Sequence, residues 1–446
     1  MAIHLSASSA PTSSHAIGTL VEHFFRHESG RLVAALSRVF GLRNQDLVED
    51  MVQSALVEAF QAWGRRGIPE NPSAWIHQVA RNKILDALKH ENISRRLAPE
   101  WLRQRRPETD APDGSWVETL FEEGSLADSQ LRMIFVCCHP VLARESQIAL
   151  TLKTLCGFSF KEISRALLSA EDSIKKRVQR ARGQLAELRI ELELPAASEM
   201  ATRLGAVHQS LYLLFNEGYS ASTGDVAIRS DLCDEAQRLI RLLTRCEVTS
   251  SPATFALLAL MLFHTARFSS RTDGSGRILL LEEQDRTLWD PSLIQEGRNC
   301  LDRSARGEQI STYHLEAGIA LLHCEAPRFA DTNWPAILKL YDLLLRIQPS
   351  PIYRLNRAIV VAYVHGFAEG LKLLDRLAEE AVLKDYHLLD AARGDLCLRL
   401  GRHESARQHY ESAKNKTASP IEQELLQRKI LGIRGEEAEP LCGPIV

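Results

Sequence analysis

Nearly every periodic segment of this chain repeats its apolar residues at helical spacing, and strand-like alternation is scarce. That pattern predicts an all-α protein. At 446 residues the chain exceeds what one compact core usually organises, so two to four helical domains are expected. The clearest early helix carries Leu47, Met51, Ala55, Phe60 and Trp63 as its expected apolar face, with Asp46, Glu49, Asp50 and Glu58 placed elsewhere around it. The Gly- and Pro-bearing stretch Gly64 to Pro72 then breaks the pattern. A further helix follows, turning Ile76, Val79, Ala80, Ile84 and Leu88 inward and leaving Arg81, Asn82, Lys83, Asp86 and Lys89 outside.

Punctuation and charge divide the rest. Residues 1–16, rich in Ser and Ala, read as a disordered tail rather than a secretion signal, having neither a basic start nor an apolar run. A first helical module spans 17–92, and a proline- and acid-bearing linker spans 93–124. A second small helical module covers 125–194, and a long helical region covers 195–440. No run of about eighteen apolar residues suggests a membrane span. Nine cysteines without a C-x-x-C pair point to a reduced, cytoplasmic protein. Cys137 and Cys138, although followed by His139, read as buried thiols, because adjacent ligands converge poorly on one ion. The net charge of −3 argues against indiscriminate nucleic-acid coating. Basic residues nevertheless cluster in Arg81 to Arg106 and Lys175 to Arg182, which suggests local nucleic-acid contact.

The most specific local pattern lies between Arg144 and Leu188. An apolar helix ends at Cys156-Gly157, a short helix begins near Ser159, and Ser169-Ala-Glu-Asp172 has the form of a capping box ahead of a longer helix. On that last helix Ile174, Val178, Ala181, Leu185 and Leu188 form an apolar stripe. Ser173, Lys175, Lys176, Arg177, Gln179, Arg180 and Arg182 occupy its other faces, with no acid between Ile174 and Gly183. A helix-turn-helix has this pattern: one face buried, the other offering cations to phosphates and polar tips to base edges.

Together the two small modules resemble regions 2 and 4 of extracytoplasmic-function RNA polymerase sigma factors of the sigma-70 family. The first match runs from Asp46-Leu-Val-Glu-Asp50-Met-Val-Gln53 through Phe60 and Trp63 to Trp75, Ala80, Asn82 and Asp86. The second runs from Leu131-Arg132 through Pro140, Gln147, Leu150, Gly157, Ser159 and Glu162-Ile163 to Lys176, Arg177, Arg180 and Ala181-Arg182. The resemblance implies core-polymerase contacts at Glu49, Asp50 and Gln53; the family often places a further acid after the glutamine, where Ser54 stands here. It implies minus-ten contacts at Arg65, Arg66, Asn82, Lys83 and Asp86, with Ile68 and Glu70 in the loop that forms a pocket for an extruded base. Minus-thirty-five contacts would fall on Ser173, Lys175, Lys176, Arg177, Gln179, Arg180 and Arg182.

The C-terminal region resembles the long extension of one group of these factors, in strings such as Leu211 to Ser222 and Leu280 to Asp290. Gly394, Gly401, Ala406, Tyr410 and Ala413 have the spacing of a tetratricopeptide (TPR) unit, and Gly366 stands one period upstream of Gly401. A TPR-like regulatory domain is expected there, acting through a partner protein or an intramolecular contact. Glu217, His208, His264, Asp285, Asp290 and His314 are acid–base candidates, but no metal-ligand spacing, phosphate loop or nucleophile elbow accompanies them. Neither enzyme activity, cofactor nor metal is expected. The competing reading is a helix-turn-helix regulator that dimerises through its repeats, which would leave the acidic first module without a task.

Overall fold

The computed structural model describes residues 28–96 and 123–434, apart from 168, 189, 191, 194, 220–227 and 308. The expected tail at 1–16 and most of the linker at 93–124 lie outside the described residues. Among the described residues the fold is all-helical, and the chain divides into two compact units, 1–210 and 211–446. The division falls inside one long helix rather than at the proline-marked boundary near residue 195.

In the first unit, α1 (28–40), α2 (Gln45–Arg66) and α3 (Pro72–Arg96) close around a core of Leu32, Leu36, Val48, Val52, Ala55, Leu56, Ala59, Ile76, Ala80 and Ile84. The inward stripe of α3 is as its spacing predicts, with Val79 and Leu88 packed at the margin. The stripe of α2 is rotated. Ala55 is buried as expected, together with Val48, Val52, Leu56 and Ala59, whereas Phe60 stays 60% exposed and Leu47 and Met51 are only partly covered. Helix α2 has two apolar arcs, and the one bearing small Ala55 and Ala59 lets neighbouring helices approach closely. Trp63 meets Trp75 edge-to-face at 5.8 Å across the loop. Gly41 and Gly67, at φ of 79° and 82°, stop α1 and α2 in a conformation that favours glycine.

The same unit continues through α4 (Glu123–Cys137), α5 (Arg144–Thr154), α6 (Phe160–Ala166) and α7 (Glu171–Glu187). Gly157 turns the chain at φ 66° between α5 and α6. The capping box sits one helix earlier than its sequence form suggested. Ser159 N–H donates to Glu162 at 2.7 Å, and Glu162 N–H returns a bond to the Ser159 hydroxyl at 3.2 Å. Helix α7 instead starts after Ala170 without a side-chain cap, and the Ser169 hydroxyl donates back to the Leu167 carbonyl. Cys137 and Cys138 are buried, and burial pushes the Cys138 thiol up to about 12, so neither behaves as a ready ligand. Residues 197–210 of α8 (Ala197–Tyr219) also belong to this unit; Arg203 donates to the Phe135 carbonyl at 3.1 Å.

The second unit stacks helices α9 (Ser230–Arg245), α10 (Pro252–Thr265), α11 (Pro291–Ser304), α12 (Thr312–Glu325), α13 (Trp334–Ile347), α14 (Pro351–His365), α15 (Phe367–Leu377), α16 (His387–Arg399), α17 (His403–Lys416) and α18 (Pro420–Arg434). The stretch Pro252–Ser270 is long and apolar enough to cross a membrane, but it is mostly buried inside the protein. In the hairpin α16–α17, Gly394 lies against the Tyr410 ring, Gly401 turns the chain at φ 71°, and Ala406, Tyr410 and Ala413 are fully buried. The upstream hairpin α14–α15 turns at Gly366, φ 105°, and packs Gly370 onto Ala358 and Ala362. Here glycine fills the close-contact position one residue before Leu371, which is why the copy reads weakly in sequence.

Candidate nucleic-acid and polymerase interface

Helix α7 buries Ile174, Val178, Ala181 and Leu185, while Leu188, expected to complete the stripe, is exposed past the helix end. Opposite, Lys176, Gln179 and Arg180 are exposed and Ser173 and Arg177 half-buried, a polar and cationic face turned outward. Lys175 lies 2.9 Å from Glu171 and 3.8 Å from Asp172, and the hydrogen bond to Glu171 raises its ammonium above the ordinary value. These acids suit the helix N-terminus, where the macrodipole favours negative charge.

On α3, Asn82 and Asp86 are exposed; Gln78 donates to the Asn82 side chain at 3.4 Å, and Lys89 sits 3.9 Å from Asp86. Lys83 is engaged with Glu58 of α2 at 3.1 Å. Arg65 is exposed at the end of α2, followed by exposed Ile68 and Glu70; the side chain of Arg66 lies outside the described residues. Asp50 is exposed, and Gln53, also exposed, reaches Ser29 at 3.3 Å. Val57, Phe60 and Ile68 are each more than half exposed along the same helix and its loop. An acidic helix with uncovered apolar side chains suits a protein partner.

Two candidate sets meet directly. The guanidinium of Arg182 donates to Asp46 and to Glu49, and the side chains of Arg182 and Glu49 are each only 14% exposed. Burial pulls Arg182 down, but the carboxylates of Glu49 and Asp46 outweigh it and hold the group above its ordinary value. Thr154 at the end of α5 donates to Glu49 at 3.3 Å and accepts from buried Gln45 at 3.1 Å. The gross attraction of such a pair is about 4 kcal/mol at 4 Å and an effective dielectric near 20. Desolvation offsets most of it, so the contact is one that a competing partner can displace. The sequence gives Glu49 and Arg182 separate roles and Asp46 none; no local pattern joins positions 133 residues apart.

In the second unit a cavity of about 390 Å³ is lined by polar and aromatic side chains, among them Asn216, His264, Arg271 and Asn356. Glu316 accepts from Tyr212 at 2.7 Å and Tyr353 at 2.5 Å, and burial raises its carboxyl above the usual range. Arg271 lies 3.7 Å over the Tyr219 ring and donates to the Tyr219 carbonyl. Three of the remaining acid–base candidates hold structure. Asp285 and Asp290 cap helix starts, and His314 closes a capping box with Ser311. Burial pulls His208 down to about 4. Among the described residues no group of three or more potential metal ligands converges.

Comparison with known proteins places these modules. Residues 24–92 match sigma-70 region 2, residues 132–185 match sigma-70 region 4, and residues 203–305 match a family of unknown function (DUF6596). The chain is 38% identical to an uncharacterized protein of Rhizobium meliloti (strain 1021) over 85% of its own length and 88% of the relative. It is 29% identical to the ECF RNA polymerase sigma factor EcfG of Rhodopseudomonas palustris (strain TIE-1), over 32% of this chain and 72% of that one. It is 27% identical to the RNA polymerase sigma factor CarQ of Myxococcus xanthus, over 40% of this chain and 92% of that one.

Proposed function

The chain belongs to the extracytoplasmic-function sigma factors of the sigma-70 family, non-enzymatic initiation factors, and from that premise we propose how its parts divide the work. In this reading α2 binds core RNA polymerase through Asp50 and Gln53, with Glu49 beside them, and the exposed Val57 and Phe60 enlarge the contact. Helix α3 and the loop before it take the minus-ten element through Arg65, Arg66, Asn82 and Asp86, with Lys83 contributing once released from Glu58. Helix α7 reads the minus-thirty-five element as duplex, bases met near its N-terminus and phosphates farther along. The observation that carries this reading is the outward face of Lys176, Gln179 and Arg180 on a helix whose other face is buried in a helix-turn-helix.

The second unit, in the same reading, modulates promoter output. Stacked helical hairpins present grooves for peptides or proteins, and the cavity around Glu316 and Arg271 offers both charges and aromatic walls within one site. The place of action is wherever polymerase is, the cytoplasm. Purified protein mixed with core polymerase should form a complex and yield run-off transcripts from a cognate promoter. Absence of complex at low salt would refute the assignment.

A further inference from the structure

We infer that the cavity of the second unit is a binding site for a small zwitterion, a molecule that carries an ammonium and a carboxylate on an apolar or aromatic body. The inference deepens the modulating role proposed above for that unit by naming what its site takes. The described residues that line the cavity all belong to the second unit. Its volume, about 390 Å³, is enough for a small organic ligand.

Two charges in its wall lack counter-charges. Arg271, just past α10, lies over the Tyr219 ring and donates to the Tyr219 carbonyl, and among the described residues no carboxylate pairs with it. Burial pulls its guanidinium below the ordinary value, and nearby Arg267 adds repulsion. Arg267 itself is buried, donates to Gln284 at 3.3 Å and likewise meets no carboxylate among the described residues. Beside Arg271, the His264 Nδ1 and the Tyr219 hydroxyl are buried without a hydrogen-bond partner among the described residues, so hydrogen-bonding capacity at this end is not exhausted. The site is therefore positive here, and a guanidinium offers the fork that matches a carboxylate.

Glu316 of α12 is the reverse case. One carboxylate oxygen accepts from Tyr212 and the other from Tyr353, no cation pairs with it among the described residues, and burial raises its carboxyl above the usual range. Tyr341 lines the same cavity, and burial together with the Glu316 carboxylate raises its phenol. An ammonium placed there is held by charge and by the negative faces of the tyrosine rings. Asp395, the other carboxylate in the wall, is already matched by Lys429. A buried charge without a partner costs folding free energy. Arg271 and Glu316 do not pair with each other, so one ligand bearing the complementary pair relieves both. Leu260, Ile319, Leu355 and Ile359 of the wall suit its apolar body.

Calorimetric titration and thermal melting of the full-length protein, without polymerase, test this. The probes are the common amino acids and a set of apolar dipeptides, each at millimolar concentration. The two sets share the chemistry and differ in how far apart they hold the charges, by roughly 3.5 Å per added residue. At least one probe should bind one to a chain and raise the melting midpoint, and the set it comes from identifies the ligand as amino acid or peptide. N-acetylation of that probe removes its ammonium and amidation its carboxylate; each should weaken binding on the order of tenfold or more. Glu316→Gln should lose as much affinity for the parent probe yet bind the acetylated form equally well, and Arg271→Met should behave in the same way toward the amide. A role confined to structure would not pair each variant with one ligand change. No binding from either set overturns the inference. So do acetylated and amidated probes that bind wild type as tightly as the parent, and variants that weaken every form alike. Binding of the expected pattern with unchanged run-off transcription leaves the site standing and removes the modulating role instead.

Discussion

Asp50 and Gln53 sit exposed on α2, away from the core supplied by Val48, Val52, Ala55 and Leu56. Replacing either by Ala should lower affinity for core polymerase while changing stability by no more than about 0.5 kcal/mol; pull-down and thermal melting measured on the same samples separate the two effects. His77 behaves differently. Burial, helped by nearby Arg81, pulls its imidazole from 6.5 down to about 4. The unfolded chain takes up a proton near 6.5 and the folded one does not until about 4, so this contribution to stability is complete above 6.5 and is lost as pH falls through that window. Between pH 6.5 and 5 the loss is on the order of 2 kcal/mol. A His77→Gln variant should show a flatter dependence of its urea midpoint on pH across that interval, and an equally steep one would contradict the assignment. Sequence alone placed His77 on a helix without saying which way it pointed. Burial is set by what packs against a residue, and that information lies in other segments of the chain.

Helices were the most legible level. The stripe of α3 and the buried face of α7 from Ile174 to Leu185 follow directly from 3.6-residue spacing. Helix α2 resisted, because its two apolar arcs satisfy the same periodicity and the choice between them depends on how closely α1 and α3 approach. Substituting Lys176, Gln179 or Arg180 on α7 should separate by role. A base-reading side chain shifts sequence preference by about 1–3 kcal/mol per position. A phosphate contact instead weakens all sites and flattens the salt dependence. Promoter-variant binding titrated over several salt concentrations distinguishes them; a scan with no effect would remove α7 as the reader. In the repeats, buried Asp395 accepts from Tyr410 and Lys429, both at 2.5 Å. Lys429→Met leaves that carboxylate without its cation and should destabilise the second unit by about 3–5 kcal/mol, read as a lowered denaturant midpoint.

At the scale of the whole molecule, the second unit is an addition to the two modules that a sigma factor of this type uses for polymerase and promoter. A cut near residue 195 would discard residues 197–210, which contribute buried Met200, Leu204 and Val207 to the first unit. The informative truncation ends at Ser210. If the second unit modulates output, this fragment should keep its polymerase affinity while transcription from a cognate promoter rises or falls sharply; transcript yield matching the full chain would refute modulation. The sequence by itself determined the helical class, the order of the two modules, the helix-turn-helix and the presence of repeats. Those depend on local periodicity and on glycines at turns, such as Gly157 and Gly401. Only the tertiary structure decided that Arg182 faces Asp46 and Glu49, that Gly30 meets Leu155, and that Glu316 and Arg271 line one cavity. Contacts between residues so far apart in the chain arise from how whole helices pack, and no short pattern of residue types encodes them.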